Sequence, residues 1–235
     1  MGRVPIPLTD AHAWCLAILA GLLAAGASAE PDGERPLVRF DTTMGSFVVS
    51  LYLERSPKSV TNFLSYVDAG AYDDNVFHRV VPGFMVQTGG YGADLQDLDE
   101  TTKVVNEAAN GLANRPGTLA LARSGDIDSA GRQFFINVGE NAHLDHSDSS
   151  CTREDEDMQH KREARGLIKP QTCTTYGYAV FGEVVDGMDV VEDIEFAETR
   201  MTDDFDDLPI DTILIKSARR IARGQHGNAK AARDK

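Results

Sequence analysis

The residues best suited to chemistry lie in one segment, Phe77-His78-Arg79-Val80-Val81-Pro82-Gly83-Phe84-Met85-Val86-Gln87. It places a guanidinium and a carboxamide among aromatic and aliphatic side chains. A guanidinium keeps its charge at any relevant pH and offers several donors in a fixed fork. Among apolar neighbours such a group suits electrostatic stabilisation rather than proton transfer. Taken alone, Arg79 can be read as a surface ion-pair residue, and Phe84, Met85 and Phe135 read better as ordinary core. His78 reads as a structural, hydrogen-bonded histidine. Two other clusters are weaker. Asp126-Ile127-Asp128-Ser129-Ala130-Gly131 has some of the polar residues of a calcium loop but lacks the downstream Glu, and turn formation accounts for it. His143, His146, Cys151, His160 and Cys173 can be drawn as a zinc set, but their spacing yields no compact ligand pair. No metal or cofactor is expected.

The elements that must position these residues are mostly strands. Leu37–Asp41 and Ser46–Leu53 flank Thr42-Thr43-Met44-Gly45 and predict a hairpin. Ser56-Pro57 predicts a helix start, with Ser56 as N-cap, and Val60, Phe63, Leu64 and Val67 give the apolar stripe up to a terminator at Gly70. Short strands are expected at 76–81, 84–88, 118–122, 133–138 and 178–185, a second helix from Met188 to about Phe196, and a last strand from Ile210 to Ser217. Many short strands with few helices predict a closed or nearly closed antiparallel barrel capped by two helices.

The 235 residues, 42% hydrophobic and 26% charged, suit one domain with short appendages. A formal charge of −14 argues against a nucleic-acid partner and for a soluble protein kept apart from anionic membranes. Residues 13–29 carry no charge and end in Ala27-Ser28-Ala29, so residues 1–29 read as a secretory signal, an uncleaved anchor being the alternative. Residues 30–36 read as a polar linker, 37–217 as the folded domain with a charged insert loop at 145–176, and 218–235 as a basic, disordered tail. After signal removal two cysteines remain, Cys151 and Cys173, an even count that in an exported chain predicts one disulfide.

Segment 77–87 resembles the core motif of the cyclophilin-type peptidyl-prolyl cis/trans isomerases. Gln133-Phe134-Phe135-Ile136-Asn137 resembles a second element of that family, and Tyr178 to Val191 a third. The likeness runs in order from about Val38 to Lys216 apart from the insert, and is nearest to the bacterial exported branch. The resemblance implies a mainly β, closed eight-stranded antiparallel barrel capped by two helices. It also implies catalysis of X–Pro rotation in proline-containing unfolded or exported polypeptides, in a periplasmic monomer that engages neither nucleic acid nor, once the signal is gone, membrane. On matching positions, Arg79 would stabilise the twisted amide, and Gln87 would hold the substrate carbonyl or orient Arg79. Phe84, Met85, Phe135 and Leu144 would line a proline pocket with Tyr178 at its rim. Ala122, Arg123 and Ser124 would form the strip that receives the substrate backbone, with Gln133 another polar wall. His143 stands where many family members carry Trp, which implies weak or no cyclosporin binding. Two competing readings are a proline-peptide-binding or chaperone module without turnover, and, more distantly, a zinc-responsive protein acting through the insert.

Overall fold

A computed structural model describes residue 2 and residues 35–98, 102–167 and 173–223. The expected signal (apart from residue 2), the linker up to Arg35, and the tail beyond residue 223 lie outside the described residues. Among the described residues no helix is long and apolar enough to cross a membrane.

The chain forms strands β1 (Leu37–Thr42) and β2 (Ser46–Leu51), helix α1 (Pro57–Asp68), strands β3 (Arg79–Val81), β4 (Met85–Thr88), β5 (Thr118–Leu121) and β6 (Phe134–Asn137), and helix α2 (Arg153–Glu163). Strand β7 (Val180–Asp186), helix α3 (Met188–Glu195), the short pair β8 (Thr199–Arg200) and β9 (Leu208–Pro209), and strand β10 (Ile215–Ile221) complete it. Eight strands make one antiparallel sheet in the order β10-β1-β2-β7-β5-β6-β4-β3. The sheet curls, but no ladder joins its ends. The isolated bridge Val76–Leu214 and bonds such as Phe77 N–H to Ile213 C=O connect the margins instead. The expected closed barrel is therefore a curled, partly open one, because β3 is only three residues long and its approach is too irregular to pair as a strand.

Alternation along the strands puts different side chains on the two faces. Val80, Val86, Phe134 and Ile136 join the main core with Phe40, Phe47, Phe63 and Phe181. Phe40 stacks on Phe47 at 4.9 Å and Phe63 meets Phe134 edge-on at 5.4 Å, favourable aromatic geometries. The alternate residues Met85, Phe135, Ala120 and Val180 form a second, smaller cluster, to which Phe84, Leu144 and Tyr178 add partly buried surface.

Helix α1 buries Val60, Phe63, Leu64 and Val67 as its stripe requires, and Gly70 ends it in the left-handed region (φ 66°). Ser56 does occupy the N-cap position, but its hydroxyl donates to Val180 C=O at 2.7 Å. The Glu107 carboxylate takes over the cap, accepting from the Lys58 and Ser59 N–H groups at 3.1 and 2.8 Å. Two further expectations shift. The segment expected as an insert loop contains α2, capped by a Thr152–Asp155 box, acidic in its first turn and basic in its last, as the helix dipole favours. The last strand runs to Ile221 rather than ending at Ser217. Ala218 is fully buried, and Arg219 and Arg220 pair with Asp73 and Asp68 (2.7 Å each), so residues 218–221 belong to the sheet and not to a tail.

Glu107→Ala removes two charge-assisted caps at once, so it should lower unfolding free energy by about 1–2 kcal/mol. A urea midpoint lowered without a change in slope is the expected result.

Candidate active site

One cross-strand row organises the outer face. Arg79 on β3 lies opposite Gln87 on β4, Gln87 opposite Phe135 on β6, Phe135 opposite Ala120 on β5, and Ala120 opposite Val180 on β7. Met85, one step along β4 on the same face, lies opposite Asn137. A charged head, an amide and an aromatic ring thus stand side by side because the ladder fixes them, at strand spacings of about 4.7–4.9 Å.

Phe84 enters this face from the β3–β4 turn. Gly83 takes a positive φ of 70°, and its N–H donates to Glu195 Oε1 on α3 at 2.7 Å. Phe84 C=O accepts from Val138 N–H and Asn141 Nδ2 at 3.0 and 2.8 Å. Gly139 must be glycine here, since a Cβ would lie 1.9 Å from Gly83 O. On the opposite side, Asn114 Nδ2 and N–H both donate to Asp145 Oδ1 (2.9 and 2.7 Å), and Tyr178 N–H donates to Leu144 C=O at 2.9 Å. These bonds hold Leu144 and Tyr178 against the row.

The result is a cavity of about 180 Å³ lined by Arg79, Phe84, Met85, Gln87, Ala122, Arg123, Phe135, Leu144 and Tyr178. Met85 and Phe135 are buried at its base, and Tyr178 meets Phe135 edge-on at 5.7 Å. Ser124 and Gln133 do not reach it. They line an adjoining groove of about 460 Å³ that shares Gln87, Ala122 and Arg123 and adds Asp97, Leu98, Lys103 and Ser129. Asp97, Leu98 and Lys103 carry no signal in the sequence, and Ser129 reads there only as part of a turn, because loops bring the four together.

Arg79 is part-exposed at the mouth, with its guanidinium carbon 5.9 Å from the Phe84 ring centre. Its ion pair is loose, Nε to Asp207 Oδ2 at 3.9 Å with both side chains about 40% exposed, and such a contact ties it down weakly. Gln87 donates from Nε2 to Gln133 Oε1 at 3.0 Å, and that bond orients its amide. Gly90 makes room for that partner: a Cβ there would sit 2.4 Å from the Gln133 amide carbon. In the 122–124 strip, the N–H groups of Ala122 and Ser124 already serve Gln133 C=O (2.9 Å) and Ser129 Oγ (3.0 Å), so pairing with a bound chain falls on the strip's other main-chain groups. The Arg123 side chain folds back. It donates to Gly177 C=O (3.1 Å) and Cys173 C=O (2.9 Å) and lies 4.9 Å from the Tyr178 ring centre.

His78 is buried beside the Tyr91 ring (4.7 Å), and its Nδ1 has no hydrogen-bond partner. Burial, with a smaller push from the Arg79 charge, outweighs the opposing Val76 backbone contact and lowers its pKa to about 4, so it is a neutral scaffold residue. The residues that could be drawn as a zinc set lie apart. Cys151 and Cys173 face each other as a disulfide pair with Cα atoms 6.0 Å apart, His143 stacks on Phe84, His146 Nδ1 lies 2.8 Å from Tyr176 C=O, and His160 faces Asp126. Among the described residues no group of His, Cys, Asp or Glu could hold a metal ion. The 126–131 segment is a turn that docks α2, through Asp128 to Arg153 (2.8 Å) and Ile127 N–H to Glu156 Oε1 (2.6 Å).

The depressed His78 pKa has a consequence for stability. Between pH about 6.5 and about 4 the unfolded chain binds a proton at His78 that the folded chain refuses, so stability falls as pH falls through that window. The loss from this group is on the order of 3 kcal/mol, complete near pH 4. In denaturation midpoints taken from pH 7 to 4, His78→Gln should show a shallower acid limb than the parent.

Comparison with known proteins gives one consistent answer. Residues 37–220 match the family model described as cyclophilin type peptidyl-prolyl cis-trans isomerase/CLD. The chain is 38% identical over 186 residues to peptidyl-prolyl cis-trans isomerase A of Dickeya dadantii, covering 79% of this chain and 85% of that one. It is 37% identical over 181 residues to peptidyl-prolyl cis-trans isomerase B of Escherichia coli, covering 77% and 97%. In fold it is similar to a crystal structure of a Cryptosporidium parvum cyclophilin type peptidyl-prolyl cis-trans isomerase. That match has a TM-score of 0.59 at 22% identity and covers 80% of this chain and 99% of that one.

Proposed function

This chain belongs to the cyclophilin-type peptidyl-prolyl cis-trans isomerase family, and from that premise we propose that it accelerates X–Pro rotation in exported polypeptides through Arg79. The observation that carries the Arg79 reading is its place at the mouth of an apolar cavity, in register with Gln87 and Phe135.

Rotation breaks amide resonance, against a barrier of roughly 18–20 kcal/mol. As the amide twists, the prolyl nitrogen regains a lone pair that the planar forms lack. A guanidinium donor aimed there binds the twisted state better than either planar one, which is differential transition-state binding. Phe84, Met85, Phe135 and Leu144 grip the ring with Tyr178 at the rim, Gln87 holds the neighbouring carbonyl, and the 122–124 strip with Gln133 carries the preceding residues. Uncatalysed exchange takes about 10–100 s. A turnover on the order of 10³ per second then needs about 5.5–7 kcal/mol. One charged hydrogen bond in a water-poor pocket together with fixed orientation can supply that, and neither nucleophile nor metal is needed.

Export is supported by the uncharged run at 13–29, and by the two remaining cysteines lying within bonding reach. The working form is thus a periplasmic monomer with a Cys151–Cys173 disulfide, acting on proline-containing chains and binding neither nucleic acid nor membrane. His143, stacked on Phe84 at 5.7 Å, gives this rim a smaller polar ring, which goes with weak or no cyclosporin binding.

A protease-coupled assay on a proline peptide tests the reading. The parent should accelerate exchange, and Arg79→Ala should cut kcat/KM by about 10²–10³-fold, the loss typical of a lost transition-state donor. Peptide binding without acceleration by the parent would point instead to a binding module.

A further inference from the structure

The proline cavity lies between two grooves that have no lining residue in common. Gln87, Ala122 and Arg123 border it on one side, toward the 460 Å³ groove. Leu144 and Tyr178 border it on the other, toward a groove of about 490 Å³ whose far wall is Ser147, Ser149, Ser150 and Thr175. A polypeptide with its proline in the cavity has two ends to place. On the proposed isomerase reading, the 122–124 strip takes the residues before proline, so the second groove lies on the path of those that follow.

We infer that this second groove is a specificity subsite, built by the disulfide-bearing segment, for hydrogen-bond-donating or cationic side chains two to three residues after the proline. This rests on the isomerase reading and names the substrate class that the reading leaves open.

The chemistry of the groove supports that class. Beyond Ala142, Leu144 and Tyr178 its lining is polar, with His143, Asp145, three serines and Thr175, so polar groups of an occupant find partners there. Asp145 also lines it. Both bonds from Asn114 go to Oδ1, so Oδ2 keeps its acceptor capacity. The hydroxyls are preorganised: Ser150 Oγ accepts from Ser147 N–H at 3.0 Å, Ser147 and Ser149 Oγ lie 3.0 Å apart, and Thr175 Oγ1 accepts from Cys151 N–H at 3.0 Å. The Asp145 carboxylate attracts an ammonium or amide and repels a carboxylate, while the hydroxyls add acceptors for the donor's remaining hydrogens.

The wall is also braced. The Cys151–Cys173 pair closes the segment, Arg153 ties its helix to Asp128 at 2.8 Å, and Arg123 donates to Cys173 C=O at 2.9 Å. A subsite already held in shape loses less freedom on binding than a loose loop would.

The test compares Ala-Ala-Pro-Ala with the same peptide extended by Lys-Lys or by Glu-Glu, using exchange NMR to obtain kcat/KM at low salt. The parent should favour the lysine extension over the glutamate one by about threefold to tenfold, as expected for a part-exposed charge pair with hydroxyl support. Ser147→Lys and Ser149→Lys, both at exposed positions, should each abolish or reverse that preference. Equal rates on the two extensions in the parent, or an unchanged preference in both variants, would overturn the subsite. Failure on the unextended peptide as well would overturn the isomerase reading beneath it.

Discussion

The register between β3 and β4 is the constraint on which the site depends. Arg79 faces Gln87, and the next pair, Val80 with Val86, points into the main core. Because side chains alternate, a slip of β3 by one residue would bury the guanidinium and expose Val80, which the core does not allow. The hydrophobic core thus fixes the row of Arg79, Gln87 and Phe135 indirectly. Val80, Val86, Ile136 and Phe134 are all buried, and their strand neighbours Arg79, Gln87 and Phe135 have no alternative to the outer face.

Around that row the structure spends its polar groups on holding geometry. Glu195 on α3 takes the Gly83 N–H, Asn141 takes the Phe84 carbonyl, and Asn114 with Asp145 steadies the turn that carries Leu144. Arg79 is the exception, with a loose partner in Asp207 at 3.9 Å. A hydrogen-bonded pocket with an apolar base and a lightly held cation at its mouth suits a reaction in which charge must meet a transient lone pair rather than a resident anion. His78, pushed neutral by burial, adds no second charge beside it.

Much of this was legible in the sequence because local pattern and motif agree. The hairpin, the α1 stripe of Val60, Phe63, Leu64 and Val67, and the Phe77–Gln87 segment all appear where their spacing places them. What escaped has physical reasons. Helix α2 buries none of its residues, so it has no apolar period to read, and its helicity comes from capping and charge order. The end of β10 reads as a basic tail because its inward residue is only Ala218 and its arginines are recruited by Asp68 and Asp73 from far along the chain. Glu107 caps α1 across 48 residues, and Asp97, Lys103 and Ser129 meet only when loops close. Arg123, read as part of a backbone strip, has a side chain that binds the disulfide-bearing segment to the pocket rim.

The central claim is that Arg79 stabilises the twisted amide and not the bound peptide. Titrating a labelled proline peptide into the parent and into Arg79→Ala, with line-shape NMR giving Kd and the on-enzyme exchange rate together, separates the two. The account predicts a Kd within about twofold of the parent while exchange on the enzyme falls by about 10²-fold or more. A Kd that weakens in step with an unchanged on-enzyme rate would contradict it, and would make Arg79 a binding residue.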